Sequence, residues 1–120
     1  MTVAYGALFG LAFGSFVNAV IDRVPGRHSL RGRSQCDACG RRLRAPELVP
    51  LLSFALLRGR CRGCAAPIGL RTPVVEALFA AFFAAAFALL PLVAAAAACA
   101  AFATLAAVAG VARRKRDVAR

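Results

Sequence analysis

Residues 36–64 read CDACGRRLRAPELVPLLSFALLRGRCRGC, two Cys-x2-Cys pairs separated by 21 residues and set among arginines. Cys36/Cys39 and Cys61/Cys64 each have the form of a knuckle in which backbone amides turn toward sulfur, and their separation lies just beyond the usual tetrathiolate zinc range. Two chemistries compete for such a set, one shared metal ion or a pair of disulfides. The compartment that holds the loop decides between them.

Working outward, the cysteine stretch lies between two oily segments. Val3 to Ile21 is 19 residues without a charge, and Pro73 to Ala112 is 40 residues whose single charge is Glu76. Both are long enough to cross a bilayer. A helix of 40 residues would run about 60 Å, roughly twice the hydrocarbon thickness, so the second segment must fold back on itself. The expected reversal is near Pro91. With 61% hydrophobic residues and no tryptophan, this is not a soluble composition.

Charge sets the expected orientation. Sixteen Lys and Arg stand against five Asp and Glu, and the bases cluster beside the oily segments. Eleven arginines against Asp22, Asp37 and Glu47 give residues 22–71 a net +8, and the tail 113–120 is +4. Positive flanks stay in the cytoplasm, so loop and tail share that side with two spans between them. The predicted architecture is an α-helical membrane protein of three spans, multi-pass in the inner (plasma) membrane, with its N-terminus outside. Its expected units are a transmembrane helix over 1–21, a cytoplasmic four-cysteine loop over 22–72 and a helical hairpin over 73–112, followed by a basic cytoplasmic tail over 113–120. A cleaved signal peptide is not expected, because no positive residue precedes the first apolar segment.

A cytoplasmic loop faces a reducing compartment, which favours a metal over disulfides. A zinc ion on four thiolates carries a net charge of −2, and Arg41, Arg42, Arg60 and Arg62 beside the knuckles would favour the thiolates. The expected ligands are therefore Cys36, Cys39, Cys61 and Cys64. Thioredoxin-like chemistry would need a βαβ context that the sequence lacks. Cys99, alone in an alanine-rich helix, reads as a small packing residue.

Between the knuckles, PELVPLLSFALLR at 46–58 is apolar but too short to span, and predicts a short interfacial helix near 50–58 that ends at Gly59 and lays Leu51, Leu52, Phe54 and Leu57 on the bilayer or the bundle. A core strand of the ribbon is the other reading. In the first helix, Gly6, Gly10, Gly14 and Asn18 recur every four residues, a stripe that lets another helix approach closely, with Phe9, Phe13 and Phe16 beside it. Asn18, with Ser15, is expected to bond between helices near the loop. Thr72 and Pro73 predict the start of the second helix, Thr72 as cap, which puts Glu76 in the opening turn where the helix dipole favours a carboxylate. A pairing of Glu76 with Arg23 or Arg71 is the sharper alternative.

Taken together, these residues resemble the amino-terminal half of the type 4 prepilin leader peptidases. The likeness runs over roughly residues 10–78, through GSFVNAVIDRVP at 14–25, CDAC at 36–39, ELVPLLSFALLRGRCRGC at 47–64 and APIGLRTPVVE at 66–76. Thr72 departs from it, since the family usually has tyrosine there. The resemblance implies a membrane enzyme that cuts pilin-like precursors and N-methylates the new amino terminus, with S-adenosylmethionine as methyl donor. Its cleavage chemistry rests on two aspartates, one of them in a GxGD motif, and this sequence contains no such motif. No catalytic residue is therefore assigned. The expectation is the N-terminal domain of a prepilin peptidase and N-methyltransferase, partnered by a prepilin-like substrate, by a C-terminal peptidase half or subunit, and by the lipid bilayer.

The rival reading is a non-enzymatic membrane adaptor whose basic zinc ribbon binds a protein or nucleic acid. A charge of +8 is ample for attachment to a polyanion. Phe54 is the only aromatic residue of the loop, however, and it belongs to the apolar run, which weighs against nucleic acid.

Overall fold

Three glycines of the first helix set the packing of the whole chain. In the computed structural model, which describes residues 1–25, 34–36 and 38–120, α1 (Thr2–Arg23) buries Gly6, Gly10 and Gly14 against α3 (Arg71–Leu89). A Cβ added at Gly6 would stand 2.8 Å from the Phe83 carbonyl oxygen, and one at Gly14 would stand 2.8 Å from the Cα of Glu76. At Gly10 it would collide with the Phe79 carbonyl. The two backbones touch, as a small-residue stripe in a membrane helix permits. Phe9, Phe13 and Phe16, on the neighbouring stripe, remain exposed.

The third long helix, α4 (Leu92–Ala119), returns alongside the pair. Leu90 is extended and Pro91 caps α4, so the reversal uses no polar turn residue. The core joins Val17 and Ile21 of α1, Phe79, Phe83 and Ala86 of α3, and Ala95 and Cys99 of α4. Phe102 stacks on Phe82 with centroids 4.2 Å apart and meets Phe79 at 4.9 Å. Gly110 gives way to the Ile21 side chain. Cys99 is buried among these groups, as a packing residue should be. The helices α1, α3 and α4 are each long and apolar enough to cross a membrane.

The start of α3 differs from the sequence expectation. The helix begins at Arg71 with Leu70 at the cap position, and no side chain caps it, so Thr72 is not the cap. Arg71 is drawn into the first turn by Asp22, which accepts two bonds from its Nη2 at 2.6 and 2.7 Å. Pro73 still sits where a missing N–H costs nothing. The Thr72 carbonyl then accepts a bond from Asn18 Nδ2 at 3.2 Å, the interhelical bond expected of that amide.

Between α1 and α3 the described loop is two knuckles and a short helical segment. A 3-10 turn (Ala45–Leu48) leads into α2 (Leu52–Leu56), shorter than the predicted helix because Pro50 and a kinked Leu51 occupy its expected start. Leu52 and Leu56 are exposed, while Leu51, Phe54 and Leu57 are half-buried. Gly59, at φ 69°, closes this segment by donating its N–H to the Phe54 carbonyl. Residues 26–33 and 37, which the sequence reading assigns to the same basic loop, lie outside the described residues.

The knuckles repeat one backbone pattern. The Cys36 amide donates to the Arg41 carbonyl and the Gly40 amide to the Cys36 carbonyl; the Cys61 amide donates to the Ala66 carbonyl and the Ala65 amide to the Cys61 carbonyl. Each knuckle is closed by an isolated antiparallel bridge, Gln35 with Arg42 and Arg60 with Pro67. The fourth residue after the leading cysteine turns left-handed in both, Gly40 at φ 70° and Ala65 at φ 57°. Glycine takes that conformation freely, whereas alanine meets its own Cβ.

Two expectations follow. Gly10→Leu should destabilise the detergent-solubilised protein by about 3 kcal/mol, seen as a lower thermal midpoint, while Phe9→Leu on the exposed stripe leaves it unchanged. Ala65→Gly should slow amide exchange at Cys61 and Ile68 roughly threefold, by relieving the left-handed strain of the second knuckle.

Candidate metal centre and the cavity beside it

The two knuckles face one another and bring all four sulfurs together. Cys36 Sγ lies 3.8 Å from Cys64 Sγ, Cys39 Sγ lies 4.0 Å from Cys61 Sγ, and the four atoms all lie within 4.8 Å of one another. A metal bound to four sulfurs at about 2.3 Å in a tetrahedron separates them by about 3.8 Å, so the spacing is that of a closed four-sulfur site. All four cysteines are free thiols. The set could hold one metal ion, and its donors fit zinc or another thiophilic cation.

The local field supports thiolate at Cys61. Its sulfur accepts from the backbone N–H of Cys64 and of Gly63, the latter at 3.4 Å, and these amides bring the thiol down to about 6 against the opposing effect of burial. Cys64 moves the other way, to about 11. The Ala66 amide pulls it down, but burial and the neighbouring sulfurs together outweigh that pull. One thiolate among close thiols is what a cluster of like acids adopts until a cation neutralises it.

Arg41 and Glu47 tie the knuckles to the 3-10 turn. Arg41 Nη2 donates to Glu47 Oε1 at 2.6 Å, and the Arg44 amide donates to Glu47 Oε2 at 2.7 Å. These two bonds, the Arg41 bond foremost, hold the Glu47 carboxyl below its ordinary range. The Arg41 side chain also lies over Gly63, where a Cβ would come within 3.0 Å of its Nε. Arg41 was legible in the sequence as a charge beside the thiolates, but Glu47 was not. Its one sequence signal is its place as the third residue of a proline-containing helical turn, where a glutamate reaches back to the cap amide.

Above the bundle and beneath the loop lies a cavity of about 830 Å³. Ser15, Asn18 and Asp22 of α1 and Thr72 and Glu76 of α3 form its helical side, and Phe54, Leu57 and Ile68 its loop side. Glu76 is 4% exposed, and its Oε2 accepts from the Leu51 amide at 2.8 Å. It therefore pairs with neither Arg23 nor Arg71; Arg71 is taken by Asp22, and Arg23 Nη2 reaches Ser34 Oγ at 3.3 Å. Nothing local marks Leu51 as its partner, since the contact joins residues far apart in sequence.

The bacterial peptidase A24 N-terminal domain family matches residues 8–90. Among curated proteins, the chain is similar to the prepilin leader peptidase/N-methyltransferase of Myxococcus xanthus, 51% identical over 77 residues, covering 63% of this chain and 23% of that protein. The protein of the same name from Burkholderia pseudomallei strain K96243 is 38% identical over 115 residues, covering 74% of this chain and 37% of the relative. That of Bacillus subtilis is 40% identical over 80 residues, covering 66% and 32%. The chain thus spans a quarter to a little over a third of the length of these relatives. No solved structure matches it. A family match over most of the chain, with three candidate spans and a four-cysteine loop between the first two of them, leads to one assignment: this chain belongs to the bacterial peptidase A24 N-terminal domain family.

Proposed function

We propose that this chain works as the amino-terminal domain of a prepilin-processing protein of the inner membrane, with its N-terminus outside and its cysteine loop and basic tail in the cytoplasm. One zinc ion, held by Cys36, Cys39, Cys61 and Cys64, cross-links the two knuckles. The observation that carries this reading is the convergence of four sulfurs within 4.8 Å on a loop seated at one end of the helices, in a chain of this family. With four protein ligands the ion has no open position, so its part is structural and holds the loop over the cavity.

Peptide cleavage falls to a separate aspartate-bearing segment or subunit. Asp22 gives both oxygens to Arg71, and Asp117 is exposed in the last turns of α4. The role of this domain is to receive the precursor, its basic leader and the apolar helix that follows. Residues 22–71 carry a net +8, or about +6 with the metal centre, so apolar contact rather than charge must hold the leader. Leu52 and Leu56, exposed on α2, offer such contact. S-adenosylmethionine enters by way of the family's methyltransferase activity alone; among the described residues no strand leads into a glycine-rich turn that would cradle it, and no step is assigned to it.

The purified chain is expected to contain about one zinc ion, and Cys36→Ser with Cys61→Ser should remove both the metal and co-purification with a pilin precursor. Protein with two disulfides and no metal would refute the site, and a complex untouched by the double substitution would count against the role. Glu47→Gln, which releases Arg41 from its carboxylate, is expected to weaken zinc retention against a chelator about tenfold while helical circular dichroism stays unchanged.

A further inference from the structure

The three long helices do not close evenly on one another. Gly6, Gly10 and Gly14 meet Phe83, Phe79 and Glu76 in descending order, so α1 and α3 are antiparallel, and the short turn at Leu90 and Pro91 sends α4 back in the direction of α1. The two parallel helices touch where Gly110 receives the Ile21 side chain. Beside that contact lies an open apolar groove of about 370 Å³. Val20 and Val24 of α1 form one wall, and Val108, Val111 and Ala112 of α4 form the other. Steps of three and four residues put those α4 side chains on one stripe, and Lys115 is the next position along it.

This groove is apolar along its length and charged at one end. Lys115, the only lysine among the sixteen bases, follows Gly110 by more than a turn, whereas α1 ends two residues after Ile21, so the lysine stands beyond the end of α1. A lysine at the end of a membrane helix lays its hydrocarbon stem on apolar surface and carries its ammonium to the interface. Lys115 is exposed, and among the described residues no hydrogen bond or ion pair engages it. Arg113, Arg114 and Arg116 stand in the same turns against Asp117 alone.

We propose that the groove between α1 and α4 holds one acyl chain of an anionic glycerophospholipid whose phosphate rests on Lys115. Charge complementarity fixes the class. A phosphodiester under an uncharged headgroup brings one negative charge to a place where the protein supplies an excess of positive ones, whereas a zwitterionic headgroup would set an ammonium beside Arg113 and Arg116. A second membrane helix seated there would leave Lys115 unanswered unless it carried an acid at that level. The lipid also supplies contacts that α4 lacks, since α4 is the least buried of the three candidate spans. In the orientation proposed above it belongs to the cytoplasmic leaflet, but the groove and its charge do not depend on prepilin processing.

The test uses the zinc-loaded full chain in nanodiscs of equal parts phosphatidylglycerol and phosphatidylcholine, with a photoactivatable diazirine in the acyl chain of one lipid or the other. Cross-links mapped by mass spectrometry should label Val108 and Val111 about fivefold more from the phosphatidylglycerol probe, and should label Phe16 and Val74, exposed outside the groove, equally from both. Lys115→Gln should erase the preference and Arg116→Gln should leave it, each with zinc content and helicity retained. Val108→Trp, which fills the groove, should suppress labelling of Val111 by either probe. Equal labelling of the groove by both probes, or the same preference at Phe16 and Val74, would mean ordinary surrounding lipid and overturn the site. So would a loss in Arg116→Gln as large as in Lys115→Gln, which would assign the selectivity to the tail as a whole. A groove left unlabelled while Phe16 and Val74 react would give it to another helix and overturn the lipid. Each of these results leaves the role in prepilin processing standing.

Discussion

The contact of α1 with α3 through Gly6, Gly10 and Gly14 is the constraint on which the other features depend. Two helices carrying side chains at those positions would stand about 8–10 Å apart, whereas here the added Cβ atoms would strike the partner's backbone. The close approach fixes the register of the pair at its loop end. Asn18 reaches Thr72 and Asp22 reaches Arg71, two successive ties along the two helices. A helix contact made for packing thereby becomes the floor of a polar cavity.

These ties differ in weight. The Asp22–Arg71 pair has side chains 45% and 42% exposed, and an exposed ion pair contributes about 0–1 kcal/mol even with good geometry. The bond from the Leu51 amide to Glu76 is shielded and joins the loop to the bundle across 25 residues, so it governs how the loop sits. Glu47 has the matching role inside the loop, where its two oxygens bind Arg41 and the Arg44 amide and so connect the 3-10 turn to the first knuckle. Both acids are buried and each is partnered by a backbone N–H, Glu47 by a local capping pattern and Glu76 by an amide that no local pattern announces.

This division explains what could be read from the sequence. Hydropathy marked three helices long and apolar enough to cross a membrane, because bilayer thickness acts on composition rather than on contacts. The cysteine pairs declared their proximity through spacing alone. The glycine stripe announced a helix contact, though not its partner. Thr72 was misread as a cap, because cap preference is local and weak while Arg71 extends the helix to meet an aspartate 49 residues away. The partner of Glu76 and the unsatisfied oxygen of Asn18 depend on distant segments meeting, which periodicity does not report.

The turn between α3 and α4 has a bearing on how the protein is made. Leu89, Leu90, Pro91 and Leu92 contain no charged or hydrogen-bonding side chain, and Leu90 and Pro91 alone separate the two helices. Nothing hydrophilic has to be carried through the lipid between them. In the orientation proposed above, residues 71–112 can therefore enter the bilayer as one hairpin whose two polar ends stay on the same side.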